Sequence, residues 1–179
     1  MWHFQRIDPL QFIPCKYISV IGAGGKTAIT EYLAQQLLRH NRSAVITTTT
    51  KIYAKEPYIL LDKPFTQESP FTKPFIRAGK TIEQGKLTAL TFDEIRELGA
   101  RFDVVLIEAD GAKGCSLKFP ASYEPVIPPF SDSVIVLAGL DSLFRRVDEK
   151  VFRWELFCAS EKIKQDDIIT PSVFLHFFS

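Results

Sequence analysis

Four short apolar runs interrupt an otherwise mixed pattern of polar and apolar positions along this chain of 179 residues. Each run is almost continuously apolar and rich in β-branched side chains, which is typical of strands covered by helices on both faces. The runs occupy residues 17–21, 44–48, 104–107 and 134–137. They predict an α/β protein of three layers, with a mainly parallel sheet between two layers of helices.

Helical periodicity fills part of the sequence between these runs. Within residues 26–40 apolar side chains recur at helical spacing, and Asn41 stands where a left-handed residue commonly ends a helix. The apolar positions are Ile29, Tyr32, Leu33, Leu37 and Leu38. A second helix is predicted over residues 92–98. Residues 17–48 are therefore expected to form one strand–loop–helix–strand unit.

Two segments depart from this rhythm because prolines and glycines punctuate them. Residues 54–90 are predicted to be an insertion with a hairpin around residues 75–90, either a lid over a site or a plain surface excursion. Residues 117–130 contain four prolines and are predicted to form an ordered but irregular loop.

The most informative segment is GAGGKT, which follows the first predicted strand and opens the first predicted helix. Glycines there let backbone N–H groups turn inward, and the helix N-terminus adds positive potential, so the segment suits a phosphate. The lysine would reach the β- and γ-phosphates, and the threonine hydroxyl would bind Mg²⁺. The segment consists of Gly22, Ala23, Gly24, Gly25, Lys26 and Thr27. We predict a P-loop NTPase-like domain over residues 1–179, with Lys26 catalytic and Thr27 a metal ligand.

The match to a phosphate loop is incomplete. The pattern GxxxxGKT would need glycine where Val20 stands, so the loop has the shorter form GxxGKT, similar to that of the Mur ligases. A dinucleotide-binding GxGxxG would need glycine at Thr27 and a carboxylate after the second strand, where threonines stand instead. A glycine-rich turn that holds no ligand is the remaining interpretation.

An acid ends the apolar run at residues 104–107, as a phosphate loop requires. Such an acid holds Mg²⁺ directly or through water and orients the attacking group. Glu108 is predicted to be this metal ligand and a catalytic residue, and Asp110 a second catalytic acid. Gly111 would offer its N–H to the γ-phosphate. Without the glycine-rich segment, exposed loop carboxylates would be the simpler interpretation.

Four threonines and a lysine, TTTTK, leave the second predicted strand at its carboxyl end, where open α/β sheets bind ligands. Thr49, Thr50 and Lys51 are predicted to bind phosphate or metal, although threonine is also favoured in strands generally. Lys113 and Lys118 are predicted to face an anionic ligand, with solvated lysines as the alternative.

Composition narrows the function further. Lys and Arg number 22 and Asp and Glu 21, so the net charge of +1 gives no electrostatic footprint for nucleic-acid binding. No apolar run approaches the roughly 20 residues that span a bilayer. The three cysteines lack metal or disulfide spacing, and Cys115 beside Lys113 is either a nucleophile or, as in most proteins, inert. We expect a cytoplasmic protein without nucleic-acid or membrane partners.

Five segments together, GAGGKT, TTTTKIY, EADGAKG, LKFPASYEPVIP and SVIVLAGLD, resemble the YqeC family of accessory proteins of selenium-dependent molybdenum hydroxylases. The resemblance covers about residues 17–160. It implies a P-loop-type nucleotide-binding protein in maturation of the selenium cofactor. With the loop and the acidic strand, we expect Mg²⁺ and ATP or GTP as its cofactors. Its partners would be the hydroxylase or the proteins that assemble its cofactor. The family's proline-rich stretch falls on Lys118, Glu124, Pro125 and Pro128.

Members of this family are longer than this chain, which ends in an aromatic segment. A guanine-reading NKxD element is missing, because Asn41 is the only asparagine. Either the chain is truncated or the base is recognised by other means. The apolar C-terminal residues are expected to pack back on the sheet or to expose a patch; they are Trp154, Leu156, Phe157, Phe174, Phe177 and Phe178.

Three functions compete at this point. The first is Mg²⁺-dependent hydrolysis of a nucleoside triphosphate or phosphoryl transfer. The second is a non-catalytic, nucleotide-gated adaptor or cofactor carrier for the hydroxylase. The third, suggested by the short loop alone, is a ligase, which would need a carboxylate-bearing substrate.

Overall fold

The computed structural model describes residues 14–62 and 75–178. Its strands are β1 (Tyr17–Gly22), β2 (Ala44–Thr48), β3 (Lys51–Tyr53), β4 (Tyr58–Leu60), β5 (Phe75–Gly79), β6 (Ile82–Glu83), β7 (Lys86–Thr88), β8 (Val104–Glu108), β9 (Leu117–Lys118), β10 (Ser133–Leu137) and β11 (Val151–Phe152). Its helices are α1 (Lys26–Arg39), α2 (Phe92–Arg101), α3 (Val147–Lys150), α4 (Trp154–Glu161) and α5 (Pro171–Leu175). Single 3₁₀ turns lie at Leu140–Ser142 and His176–Phe178. The four predicted strands and two predicted helices are all present.

The central sheet has six strands in the order β10-β1-β8-β2-β5-β4, and every neighbouring pair is parallel. All six strands therefore end at one edge, and β1 lies between β8 and β10. The predicted α/β class with a mainly parallel sheet is confirmed.

Alternation along β8 shows why the sheet has helices on both faces. Val104 and Leu106 pack with α1, whereas Val105 and Ile107 pack with α2 on the opposite side. Because successive side chains of a strand point to opposite faces, a strand between two helical layers must be apolar throughout. The five residues of β8 are all buried.

The two helices begin and end for different local reasons. Thr91 caps α2 through a capping box with Glu94, in which each residue's side chain accepts a hydrogen bond from the other's backbone N–H. Helix α1 begins after Gly25 without a side-chain cap, which leaves its first amides for another acceptor. Asn41 has φ of 55°, so the predicted left-handed residue after α1 is confirmed.

The insertion at residues 54–90 is smaller than the sequence pattern indicated. Strands β4 and β5 extend the parallel sheet, and the hairpin consists only of β6 and β7, which join β3 in a separate antiparallel sheet. Gln84 and Gly85 turn that hairpin with positive φ angles, as a tight two-residue turn requires. The rest of the predicted insertion, residues 63–74, lies outside the described residues.

Residues near the end of the described chain form their own small core. Phe157 is fully buried and stacks on Phe177, with ring centroids 4.3 Å apart. Trp154 and Phe174 pack at its margin, whereas Leu156 and Phe178 are about half exposed. The apolar tail therefore packs mostly on itself and on β9 and β11. Among the described helices, none is long and apolar enough to cross a membrane.

Candidate functional site

Three glycines shape the turn between β1 and α1. Gly22, Gly24 and Gly25 have φ angles of 88°, 84° and 116°, in the region that L side chains rarely adopt. A Cβ at Gly22 would overlap the carbonyl oxygen of Leu137, and one at Gly24 would lie 2.5 Å from the backbone nitrogen of Gly139. Glycine at the first two positions therefore lets the loop lie against the end of β10 and the turn after it.

The loop presents backbone N–H groups that have no protein acceptor. Within the described chain, the amides of Gly24, Gly25, Lys26 and Thr27 donate no hydrogen bond, whereas Ala23 N–H donates to the carbonyl of Leu137. Unpaired amides at a helix N-terminus attract an anion, because their partial charges add to the helix dipole. This is the arrangement predicted from GAGGKT, and it suits a phosphate group.

Lys26 lies inside the loop rather than in solvent, with its side chain 9% exposed. Its ammonium group contacts the carbonyl oxygen of Gly22 and lies 2.8 Å from Asp110 Oδ1. Asp110 also accepts a hydrogen bond from Gly22 N–H at 2.8 Å. The predicted acid and the predicted phosphate-binding lysine are thus joined directly.

Asp110 is one member of a longer row of buried and half-buried charges, which we call the ion-pair chain: Lys26, Asp110, Lys118, Glu124 and Arg153. Lys118 Nζ lies 3.2 Å from Asp110 and 3.1 Å from Glu124, and Arg153 lies 3.0 Å from Glu124. The Lys118 side chain is only 1% exposed. These pairs are close but poorly aligned, so Lys118 Nζ has no hydrogen-bond partner within the described residues. No local sequence pattern predicts the ion-pair chain, because its members are up to 127 positions apart in the sequence.

Glu108 ends β8 beside the loop, as predicted. Its carboxylate lies 3.5 Å from the hydroxyl of Thr30 on α1. Burial raises the pKa of Glu108 above its usual range, while the ammonium of Lys26 and the hydroxyls of Thr27 and Thr30 act in the opposite direction. Thr30 was not predicted, although it lies one helical turn after Lys26 and so on the same face of α1.

A magnesium ion fits the oxygen atoms present here. No cluster of three or more His, Cys, Asp or Glu side chains that could hold a metal occurs in the described part of the chain. Mg²⁺ is usually held by one or two carboxylates with phosphate oxygens and water. Glu108 supplies a buried carboxylate whose hydrogen-bonding neighbours are the hydroxyls of Thr27 and Thr30. These two predicted ligands could hold a phosphate-bound Mg²⁺.

The threonine run splits between roles. The Thr48 hydroxyl donates to the Glu108 carbonyl at 2.8 Å and receives a hydrogen bond from Thr50 N–H. The Thr49 hydroxyl donates to the Val126 carbonyl at 2.8 Å. Lys51 lies on the exposed antiparallel sheet, where it pairs with Glu83 at 2.7 Å. The hydroxyls of Thr48 and Thr49 therefore connect the end of β2 to the segments that follow β8. Lys51, by contrast, forms its ion pair on the antiparallel sheet.

The remaining predicted residues follow the acidic strand. At Gly111, a Cβ would meet no described atom within 4 Å, so the backbone there is accessible. Lys113 has a positive φ of 46°, and its ammonium lies 5.4 Å from the ring centre of Phe152. Burial raises the pKa of the Cys115 thiol, and Lys150 and Lys113 offset this only in part. A raised pKa leaves little thiolate at neutral pH, which argues against a nucleophilic role for Cys115.

Fold and site together define a class: an α/β protein whose glycine-, lysine- and threonine-containing loop and acidic strand meet at the carboxyl edge of a parallel sheet. The YqeC protein family matches residues 18–155, and the chain belongs to this family. The chain is also 38% identical over 149 residues to uncharacterized protein YqeC of Escherichia coli (strain K12). That similarity covers 78% of this chain and 58% of the relative, so the chain spans a little over half of that protein's length. No solved structure gives a significant match.

Proposed function

We propose that this protein binds ATP or GTP with Mg²⁺ at the loop between β1 and α1 and hydrolyses it or transfers its γ-phosphoryl group. The observation that carries the proposal is the set of unpaired amides at the start of α1, with Lys26 and Glu108 beside them. Catalysis of phosphoryl transfer consists mostly of positioning and charge neutralisation, and these groups supply both.

Each residue has a separate part in this reaction. The amides from Gly24 to Thr27 would hold phosphate oxygens, and Lys26 would exchange Asp110 for the β- and γ-phosphates. Mg²⁺, held by Thr27 and Glu108, would neutralise charge on the phosphates. Asp110 would then keep Lys118 as its partner and would accept a proton from the attacking group. The acceptor of the phosphoryl group would be water or a second substrate.

The cellular role we propose is maturation of the selenium cofactor of molybdenum hydroxylases in the cytoplasm, together with the hydroxylase or its assembly proteins. Family membership and the resemblance of the five sequence segments support this proposal. Turnover measured with and without a candidate hydroxylase would test it, and an unchanged rate and no complex would count against it.

Nucleotide binding is tested by calorimetric titration of ATP, GTP and CTP with Mg²⁺ into the wild type, Lys26→Ala and Lys51→Ala. Loss of one charge-assisted contact weakens binding by about 10- to 150-fold. We expect this loss in Lys26→Ala and little change in Lys51→Ala, whose ammonium pairs with Glu83. Unchanged affinity in a folded Lys26→Ala protein would overturn the assignment of the loop.

A nucleotide-gated adaptor is the second candidate, favoured by the ion-pair chain that leads away from the loop. Any phosphate that draws Lys26 from Asp110 changes the balance of charges as far as Arg153. Glu108→Gln separates the candidates. For an enzyme, nucleotide still binds and turnover falls about 100-fold or more; for an adaptor, the already negligible turnover of the wild type is unchanged.

A further inference from the structure

A groove of about 960 Å³ lies beside the ion-pair chain and has no part in the proposed phosphate site. One wall comes from the segment after Asp110 and the start of the proline-rich loop, and the other from β11 and the start of α4. Four aromatic residues line it: Phe119, Tyr123, Phe152 and Trp154. Lys113 and Arg153 line it as well.

The cations gather around one ring. The centre of the Phe152 ring lies 5.4 Å from Lys113 Nζ, 5.9 Å from Lys118 Nζ and 5.1 Å from the Arg153 guanidinium. The Arg153 guanidinium also lies 5.1 Å from the centre of the Tyr123 ring. An aromatic face attracts a cation only weakly, so it is a poor substitute for an anion.

Acidic groups near these cations are few. Glu124 is shared between Lys118 and Arg153, and Lys113 forms no ion pair with an acid in the described part of the chain. Of the two acids in the groove wall, Asp148 is engaged by Arg146 at 2.6 Å, and Glu155 lies at the exposed start of α4. The cations on the Phe152 side are therefore left with capacity for a further anion.

The two groove cations are also strained. Lys113 and Arg153 have φ angles of 46° and 65°, a left-handed conformation that residues with a side chain adopt only at an energetic cost. Such strain persists only where the surrounding structure imposes it, and it is commonly found at ligand sites. Both strained cations place their charge over Phe152.

The groove and the phosphate loop share a segment of backbone. Cys115 lines the groove, and the carbonyl oxygen of the next residue, Ser116, lies 3.1 Å from where a Cβ of Gly24 would be. The ion-pair chain links the two sites a second time, with Lys26 at one end and Arg153 at the other. A ligand in the groove would thus lie next to the nucleotide site without using its amides.

We propose that this groove binds a planar aromatic anion, a carboxylate or phosphate ester distinct from the nucleotide, whose ring stacks against Phe152 and Tyr123. Its carboxylate or phosphate group forms ion pairs with Lys113 and Arg153. The role of this ligand as the second substrate of phosphoryl transfer rests on the proposed function. Its binding in the groove does not depend on that function. Arg153 already pairs with Glu124, but Lys113 forms no ion pair in the described part of the chain. Lys113 therefore favours this ligand over a nucleobase, because a neutral base would leave its charge without an anion.

The test compares 2-naphthoate with the neutral 2-naphthamide by ligand-observed NMR and calorimetry on the full chain. We expect naphthoate to bind at least about fivefold more tightly, and Lys113→Met to weaken naphthoate by about five- to tenfold without changing the amide. Phe152→Leu should weaken both ligands. The control is Lys86→Met, which removes a cation 4.9 Å from the ring centre of Tyr53 on the antiparallel sheet and should leave both affinities unchanged.

Three outcomes would overturn the proposal: equal affinity for naphthoate and naphthamide in the wild type, an equal loss in Lys86→Met and Lys113→Met, or complete displacement of naphthoate by saturating Mg²⁺–ATP. The comparison of naphthoate and naphthamide in the wild type tests the proposal even if a variant fails to fold. Near-UV circular dichroism would reveal a variant that is not folded. Naphthoate binding retained in Lys26→Ala supports a separate site. Failure of nucleotide binding alone would count against the phosphate loop and leave the groove standing.

Discussion

Two lysines, Lys26 and Lys51, each follow a strand of the same sheet, and both have residue patterns that predict a phosphate ligand. Lys26 is buried and belongs to a row of five charges that extends to Arg153. Lys51 belongs to an exposed pair with Glu83, and both side chains are more than half exposed. The ion pair on the antiparallel sheet is therefore solvated, whereas the ion pair at the carboxyl edge of the parallel sheet is shielded from solvent.

The difference indicates why the buried charges are present. Exposed pairs contribute about 0–1 kcal/mol to stability, and buried pairs often gain no more than well-packed apolar residues would. A fold that needed only stability would have little use for a buried lysine without an aligned hydrogen bond, such as Lys118. We attribute the ion-pair chain to the two ligands proposed above, one at each of its ends.

The largest expected difference between the buried and the exposed ion pairs is in the effect of Lys118→Met on stability, with Lys51→Met as the matched control. Removing Lys118 leaves Asp110 and Glu124 with one fewer cation in a buried setting, which should cost about 3–5 kcal/mol. Lys51→Met should cost less than about 1 kcal/mol. Urea denaturation measures both. Similar losses in the two variants would show that the buried chain is energetically no different from the surface pair.

The loop itself can be probed by Gly22→Ala against Gly111→Ala. A methyl group at Gly22 meets the carbonyl of Leu137 at a positive φ, so we expect a loss of about 2–4 kcal/mol. Gly111 has open space and no positive φ, so the stability of Gly111→Ala should stay within about 0.5 kcal/mol of the wild type.

Gly25→Ala is a third case. No described atom opposes a methyl group at Gly25, so any loss of stability would come from its φ of 116°. Thermal unfolding distinguishes these cases, and a fully stable Gly22→Ala protein would contradict the backbone geometry.

Glu108→Gln sharpens the comparison through pH. Because burial raises the pKa of Glu108, the folded protein binds this proton more tightly than the unfolded chain does. The wild type therefore loses stability as pH rises from the ordinary carboxyl range through the raised pKa. The glutamine variant should gain on the order of 1 kcal/mol at pH 7.5, and this gain should vanish at acidic pH. A gain that persists unchanged at pH 4 would show that the buried charge is not its cause.

The smallest expected effect concerns an exposed acid, Asp103, whose carboxylate accepts hydrogen bonds from Ser43 N–H at 2.8 Å and from the Ser43 hydroxyl at 2.7 Å. These bonds hold the pKa of Asp103 below its usual range. Its contribution is therefore present above the unfolded pKa and is lost as pH falls through the folded one. Because the Asp103 side chain is about half exposed and solvent screens its charge, Asp103→Asn should cost no more than about 0.5–1 kcal/mol at pH 7 and nothing at very low pH. Urea titrations at both pH values check this, and a pH-independent loss would be contrary to the assignment.

The sequence predicted the fold best where apolar runs are nearly continuous, as in β1, β2, β8 and β10. One expectation was wrong for β10: it is an edge strand, so Val134 and Val136 are exposed and only Ile135 is buried, and the run at 134–137 is not covered on both faces. Strand β5 was harder, because it places Arg77 at its centre. That residue is buried against Glu31 of α1, 46 positions away, and a charge in the middle of a short run is typical of an exposed strand. Pairing at such a distance leaves no local signal.

The site divides in the same way. Gly22 to Thr27 and Glu108 to Asp110 are contiguous motifs whose chemistry depends on neighbours in sequence, and the structure brings them together at one edge of the sheet. Arg153 could be found only from the fold. Glu124 was singled out only by the resemblance to the family, and its pairing with Lys118 and Arg153 needed the fold. The metal, the nucleotide and the reaction stay predictions.

The order of strands in the sheet also has a consequence for synthesis. Strand β1 is flanked by β8 and β10, which follow it by roughly 90 and 115 residues, and a ribosome adds about 5–20 residues each second. The first β-strand therefore waits roughly 4–18 s for β8, and longer for β10, with both of its edges unpaired. During that time its apolar faces are open to self-association. Nascent chains of this protein should depend on a chaperone until β8 has emerged.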